Sequence, residues 1–189
     1  MHTFCDDRDK LLWTTEIDAI ESDPTWNHGN PSKPLTRGIA LAEQIDAMNL
    51  TSPAYRVAHT VANAFDSFLS EIRRNAEADG GTASNQIRQR EAIVSLDLPK
   101  ELGMTLGQTA KRVHAKLLII ISPQDHMVNP TPAIEFAAAA SAPVVSLNSS
   151  CGHRSLSCLS LGPTVVRFLL DPSSVRTETL AGFCLWLSQ

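Results

Sequence analysis

The chain has 189 residues, of which 43% are hydrophobic and 19% charged; this composition is typical of one globular domain and excludes wholesale disorder. Its net charge of −4 argues against nucleic acid or an anionic membrane as a main partner. No run approaches the roughly 18 apolar residues that a membrane-spanning helix requires, and the acidic start of the chain lacks the apolar core of a secretory signal. We therefore expect a cytoplasmic protein with no membrane contact.

The first 112 residues read as helices joined by polar turns. Residues 13–20 are interpreted as the end of a strand that runs into a helix, and a stretch rich in turn-forming residues follows. Further helices are predicted at 36–48, 53–79, 86–96 and 106–114, with Thr105 as the N-cap of the last.

The pattern changes near residue 113. A continuous apolar run at 116–122 is typical of a strand buried on both faces, and a second strand is predicted at 143–148. Helices are predicted after these strands, at 133–140 and 163–170. This alternation is a βαβα unit with parallel strands, so the fold class is α/β.

Two residues with catalytic potential follow the two predicted strands. Asp125 lies after the first strand and His153 after the second, 28 residues later. Because parallel strands end at the same edge of a sheet, we expect these side chains to meet. A carboxylate that accepts a hydrogen bond from an imidazole fixes its tautomer, and the second ring nitrogen can then act as a general base. Alternatively, Asp125 caps the following helix and His153 faces solvent.

The cysteines suggest other chemistry, which the spacing does not favour. Cys151 is two residues from His153, but side chains this close in a tight loop rarely align for proton transfer, so an inert thiol is the preferred interpretation. A metal site formed by Asp125, His126, Cys151, His153 and Cys158 lacks the spacing of a zinc knuckle. The four cysteines form no C-x-x-C pair, and we expect reduced thiols and no metal site.

Two stretches resemble the homoserine O-acetyltransferase family, which has an α/β-hydrolase fold. The first runs from Leu117 to Pro130 and continues at Cys151-Gly152-His153, and it resembles the family's acid strand and Gly-His loop. The second, Ala19 to Asn30 followed by Arg37 to Ala42, resembles the segment that leads from the core sheet to a helical lid. The resemblance implies Asp125 as the orienting acid and His153 as the base of a Ser–Asp–His triad.

The resemblance also implies a domain organisation and a reaction. Residues 1–34 would connect the core to the lid, 35–112 form the helical lid, 113–171 form the C-terminal βαβα unit of the hydrolase fold, and 172–189 form a tail of unknown role. The family transfers an acyl group from acyl-CoA, a co-substrate rather than a bound cofactor, to the hydroxyl of homoserine, a step of methionine biosynthesis. The implied partners are small-molecule substrates and a second copy of the chain, bound through the lid helices. Arg37 and Arg56 are candidates for binding the carboxylate of an amino-acid acceptor.

The sequence departs from the family pattern in two ways. No G-x-S-x-G-like run occurs, and Arg154 stands where the family usually carries an acidic residue. We therefore expect a truncated chain that is inactive by itself, with the nucleophile encoded before residue 1. A hydrolase or esterase on the same scaffold, and a non-catalytic interaction module derived from it, are the alternatives.

Overall fold

The structure is a computed structural model that describes residues 7–79, 82–157 and 160–182. The described residues divide into two compact units. A helical unit contains residues 7–48 and 56–96, and an α/β unit contains residues 49–55 and those from 97 onward. Among the described residues, none of the helices combines the length and the apolar composition needed to cross a bilayer.

The helical unit is built from long helices around a small aliphatic core. Its helices are α1 (Asp7–Glu21), α2 (Thr36–Asn49), α3 (Pro53–His59), α4 (Phe65–Asp79) and α5 (Ala83–Ser95); the last residue of α2 and the first three of α3 belong to the α/β unit. Helix α1 packs against α5. The buried core residues are Ile20, Leu35, Ile39, Ala42, Ala76, Ala83 and Ile87.

A buried charged cluster lies within the helical unit. The Arg90 Nε donates to Glu16 Oε2 at 2.5 Å, and Arg90 Nη2 donates to Asp46 Oδ2 at 3.2 Å. Glu16 is completely buried, and its Oε1 and the Asp46 Oδ1 have no donor among the described residues. The guanidinium also lies 6.0 Å from the centre of the Trp13 ring, within the range of a cation–π contact. The Arg90 guanidinium therefore donates a hydrogen bond to each of two carboxyl groups.

The α/β unit contains a parallel sheet of three strands. The strands β1 (Ile119–Ile121), β2 (Val144–Asn148) and β3 (Glu178–Ala181) lie in the order β1-β2-β3, with Ile120 opposite Val145 and Leu147 opposite Leu180. Its helices are α6 (Leu98–Glu101), α7 (Leu106–Lys111), α8 (Thr131–Ala140) and α9 (Leu161–Leu170). The buried core residues are Val145, Leu147, Leu161 and Val175. The strands are rich in β-branched residues, which pack well on a pleated, buried surface.

The structure confirms most of the predicted elements and corrects three. Residues 13–20 lie within helix α1 rather than at a strand end, because their apolar residues recur at helical spacing and bury Trp13 and Ile20. The helix predicted at 53–79 is two helices, separated by the turn around residues 60–64. The tail supplies strand β3, whereas the sequence predicted only two strands. Residues 183–189 of the tail lie outside the described residues.

Candidate active site

The loops that follow β1 and β2 lie at one edge of the sheet because the two strands are parallel. Asp125 is in the first loop, and its backbone N–H donates to the Ser122 carbonyl at 3.1 Å, which forms a tight turn directly after the strand. His153 is in a short 3-10 helix, Gly152–Ser157, that follows the second strand. Short loops on neighbouring strands therefore bring the two side chains together.

The predicted contact between these side chains is present. His153 Nδ1 and Asp125 Oδ2 lie 2.9 Å apart, which is a hydrogen-bond distance. The Asp125 side chain is 15% exposed and that of His153 is 36% exposed. The histidine thus reaches solvent, while the carboxylate behind it is largely enclosed.

Asp125 is held as an anion by donors on both of its oxygens. Oδ1 accepts the backbone N–H groups of Met127 and Val128, each at 2.9 Å, and Oδ2 contacts His153. Burial alone would raise the pKa of Asp125, but the hydrogen bonds from His153, Val128 and Met127 outweigh it and lower the pKa below 3.8. Asp125 is therefore ionised at neutral pH.

The charge of Asp125 determines the tautomer of its partner. An ionised carboxylate can only accept hydrogen bonds, so the proton of the 2.9 Å contact belongs to Nδ1 of His153. In the neutral imidazole, Nε2 then carries the lone pair and is the nitrogen that can accept a proton. This is the arrangement of a general base oriented by a carboxylate.

Gly152 allows the His153 loop to approach a separate segment of the α/β unit. Its φ of +63° is in the left-handed region. A Cβ at this position would lie 2.9 Å from both the Ser52 N and the Thr51 Cα, and the Ser52 N–H donates to the Ser150 carbonyl at 3.3 Å. Glycine is thus required here both for its backbone conformation and for its lack of a side chain.

A half-open cavity of about 180 Å³ lies beside the Asp125–His153 pair. This is smaller than the roughly 300–1,000 Å³ of sites for drug-sized ligands, so the described walls suit a small group. Its wall is mostly apolar. The lining residues include Ile120, Ile121, Ser122, Val128, Leu147 and Ser155.

The structure changes the interpretation of the cysteine candidates. Cys151 is disulfide-bonded, so the expectation of reduced thiols is wrong at this residue, and a disulfide sulfur cannot serve as a thiolate nucleophile. The remaining cysteines, Cys5, Cys158 and Cys184, lie outside the described residues. The disulfide also removes the support that reduced thiols gave to a cytoplasmic location.

Within the described ranges, no group of three or more His, Cys, Asp or Glu side chains is arranged to hold a metal ion.

The two arginine candidates lie in the helical unit. Arg56 donates to the Ala47 carbonyl at 2.7 Å, and its guanidinium stacks 4.8 Å from the centre of the Phe68 ring, so it already has structural contacts. Arg37 and Arg73 line an open cavity of about 330 Å³ on the same unit. No sequence pattern marks Ser122 and Ser155, whose hydroxyls join the two site loops, because serines are common in polar loops and carry no distinctive spacing.

The chain matches no protein-family model, and no curated protein matches it in sequence. Solved structures do resemble it. The homoserine O-acetyltransferase from Bacillus anthracis is 17% identical, with a TM-score of 0.69 over 96% of this chain and 52% of that chain. Esterase E22 is 17% identical, with a TM-score of 0.72 over 89% of this chain and 52% of that chain. An acetylester hydrolase from Corynebacterium glutamicum is 16% identical, with a TM-score of 0.65 over 82% of this chain and 46% of that chain.

These similarities establish the fold. The chain spans about half the length of the solved structures that it matches. Sequence identity this low does not carry an activity from one protein to another, because one fold hosts many functions. The described residues form the C-terminal portion of an α/β-hydrolase fold.

Proposed function

We propose that this chain is the acid–base half of an acyl-transfer enzyme of the α/β-hydrolase type. The observation that carries the proposal is the 2.9 Å contact between His153 Nδ1 and Asp125 Oδ2, at the carboxyl ends of adjacent parallel strands. The ionised state of Asp125 and the cavity beside the pair support it. The nucleophilic serine comes from the half of the fold that these residues do not cover.

In the proposed reaction, His153 moves a proton in each of two steps. The serine oxygen attacks the carbonyl of an acyl-CoA thioester as its proton passes to Nε2, and that proton then leaves with the coenzyme A thiol. The hydroxyl of the acceptor next attacks the acyl-serine, again giving its proton to Nε2. The proton returns to the serine oxygen as the acyl group leaves it. Asp125 stabilises the imidazolium that forms in both steps.

The acceptor is the finer part of the proposal. A small hydroxyl amino acid such as homoserine would place the enzyme in methionine biosynthesis in the cytoplasm, with acyl-CoA as co-substrate and a second copy of the chain bound through the helices of residues 35–112. The resemblance of the Asp125 and His153 loops supports this acceptor, as does the homoserine O-acetyltransferase among the similar structures. The small cavity agrees with a short acyl group.

Hydrolysis is the second candidate, with water as the acceptor. It is favoured by the esterase and the acetylester hydrolase among the similar structures. Both candidates use the same acid–base pair, and they differ only in what attacks the acyl-serine.

A thiol-release assay separates the candidates. The chain is tested alone and joined to a polypeptide that supplies the nucleophile half of the fold, with acetyl-CoA in the presence and absence of homoserine. We expect negligible turnover from the chain alone. We expect release of coenzyme A from the joined protein only with homoserine, together with O-acetylhomoserine detected by mass spectrometry. Thiol release without homoserine would support hydrolysis, and no release under either condition would contradict both.

Three variants test the assigned roles in the joined protein. Asp125→Asn removes the charge that stabilises the imidazolium, and we expect it to lower kcat by up to about 10⁴-fold, as in other triads. His153→Gln should be at least as damaging. His114→Gln is the matched control, because His114 is an exposed histidine outside the described site. Equal activities in all three variants would contradict the assigned roles.

A further inference from the structure

Three serine hydroxyls link the two loops of the candidate site. The Ser149 Oγ and the Ser155 Oγ lie 2.9 Å apart, and the Ser155 Oγ donates to the Ser122 Oγ at 3.1 Å. Ser155 is 1% exposed and Ser122 is 7% exposed, so the hydrogen bond between these two hydroxyls is shielded from water. A row of three hydroxyls, two of them buried, therefore joins the His153 loop to the residue that follows β1.

The direction of this row follows from counting protons. Each hydroxyl has one proton to donate. Because Ser155 gives its proton to Ser122, the proton of the 2.9 Å contact comes from Ser149. The Ser149 Oγ in turn accepts the backbone N–H of Cys151 at 3.3 Å. The hydrogen bonds thus run in one direction from the backbone of the His153 loop to Ser122, and hydrogen bonds aligned in this way strengthen one another.

The two ends of the row lie close to the acid–base pair along the chain. Ser149 and Ser155 flank His153 within one loop. Ser122 directly follows β1 and lies three residues before Asp125. The Ser122 carbonyl also accepts the backbone N–H of Asp125. Ser155 is therefore the one residue of the row whose hydroxyl contacts both loops.

We propose that Ser155 is a positioning residue that holds the His153 loop against the Asp125 loop, and so sets the distance between Nδ1 and Oδ2. This inference deepens the proposed function, on which it rests for the meaning of the pair. Without the Ser155 hydroxyl, the partly buried Ser149 hydroxyl loses its acceptor, and the two loops lose the hydrogen bond between Ser155 and Ser122. A displacement of about 1 Å is enough to disrupt a productive hydrogen bond between catalytic groups.

The test measures the pair itself by nuclear magnetic resonance on the full chain. The side-chain carboxyl carbon of Asp125 is labelled with ¹³C, assigned with Asp125→Asn and titrated with acid in the wild type and in Ser155→Ala. Because the hydrogen bond from His153 is the foremost of the interactions that lower the pKa of Asp125, its loss should move the titration midpoint upward, toward 3.8. The ¹⁵N shifts of the His153 ring should report a smaller population of the Nδ1–H tautomer.

Ser160→Ala is the matched control. The Ser160 Oγ is also buried, but it has no hydrogen-bond partner among the described residues. We expect this variant to leave the Asp125 midpoint and the His153 tautomer unchanged. All samples are kept in the same redox state because Cys151 is disulfide-bonded.

Two results would overturn the proposal. One is a wild-type midpoint and tautomer in a folded Ser155→Ala protein, and the other is an equal shift in Ser160→Ala. If Ser155→Ala does not fold, Ser122→Ala removes the acceptor at the other end of the row and should move both signals in the same direction. These measurements require no turnover, so failure of the proposed function and failure of this inference remain distinguishable.

Discussion

The helical unit and the α/β unit each bury a carboxyl group beside a nitrogen donor, yet the two pKa values shift in opposite directions. Burial, together with the neighbouring Asp46 carboxylate, raises the pKa of Glu16 to about 8, although Arg90 donates to it. Asp125 is also partly buried, but His153 and two backbone amides lower its pKa. The hydrogen-bond donors and charges around each carboxyl group therefore decide whether it is ionised, and burial alone does not.

The contrast also separates a structural cluster from a chemical site. In the helical unit, a single guanidinium faces two carboxyl groups, and one proton completes the charge balance. In the α/β unit, Asp125 keeps its charge and holds an imidazole that is 36% exposed beside a cavity. The second arrangement can exchange a proton with a ligand, whereas the first is enclosed.

The largest expected effect is the loss of the cation in the helical unit. Arg90→Met leaves the buried Glu16 and the partly buried Asp46 without their shared donor, and removal of one partner of a buried ion pair costs about 3–5 kcal/mol. Arg88→Met is the control, because Arg88 forms an exposed pair with Glu91 that contributes about 0.2–1 kcal/mol. Urea unfolding, with hydrogen exchange resolved on α1 and α5, measures both variants. Equal losses would show that the cluster does not stabilise the unit.

A substitution at Gly152 tests the close backbone approach in the α/β unit. Gly152→Ala combines a left-handed residue with a backbone overlap at Thr51 and Ser52, for an expected loss of about 2–4 kcal/mol. Gly103 has a similar φ of +61° but no atom within 4 Å of an added Cβ, so Gly103→Ala should cost only about 1–2 kcal/mol. The difference between the two unfolding free energies isolates the close approach. Identical losses would contradict it.

The raised pKa of Glu16 predicts a stability that falls with rising pH. The folded protein keeps the proton of Glu16 up to about pH 8, whereas the unfolded chain releases it near 4.5. The contribution is therefore complete below 4.5 and is lost as the pH rises toward 8, at up to about 1.4 kcal/mol per pH unit. Urea unfolding at several pH values measures the slope. Glu16→Gln should flatten it, and Glu21→Gln, at an exposed position, should not; a flat wild-type profile would contradict the assignment.

A close backbone approach in the helical unit predicts a moderate effect. A Cβ at Gly38 would lie 2.6 Å from the Ile20 carbonyl oxygen, and the Gly38 N–H donates to the Asp23 carboxylate at 2.8 Å. Gly38→Ala should therefore destabilise the unit by about 1–3 kcal/mol. Gly107→Ala, in a helix with no atom within 4 Å of the added Cβ, should stabilise the protein by about 0.5–1 kcal/mol. Thermal unfolding distinguishes the opposite signs, and a stabilising Gly38→Ala would refute the close contact.

The smallest expected effect is the acid sensitivity of Asp125. Its pKa is lowered in the folded protein, so its contribution to stability is present above 3.8 and is lost as the pH falls through the folded value. The protection factors of the β1 and β2 amides, which are the intrinsic exchange rates divided by the observed rates at each pH, should therefore fall at acid pH, and less so in Asp125→Asn. Stability is thus expected to rise with pH through the titration of Asp125 and to fall with pH through that of Glu16. If stability changed in the same direction in both units, the opposite pKa shifts would be contradicted.

The sequence was sufficient for elements whose signals are local. Thr105 is the N-cap of α7, as predicted, and the structure adds that Gln108 completes a capping box with it. The two apolar runs after residue 113 are parallel strands, although β1 is only three residues long. In the unpredicted β3, Glu178–Ala181, burial of the side chains alternates along the four residues. Such a short segment becomes a strand because the outer edge of β2 is available to pair with it.

The sequence by itself determined β1, β2 and the helices that follow them, and the meeting of Asp125 with His153, because both follow from local periodicity and the common edge of parallel strands. Only the tertiary structure decided which polar groups share a buried environment. Arg90 and Glu16 are 74 residues apart, and Ser155 and Ser122 are 33 residues apart. No local pattern marks these pairs, because their energies depend on desolvation and on donor counts that exist only after the chain has folded.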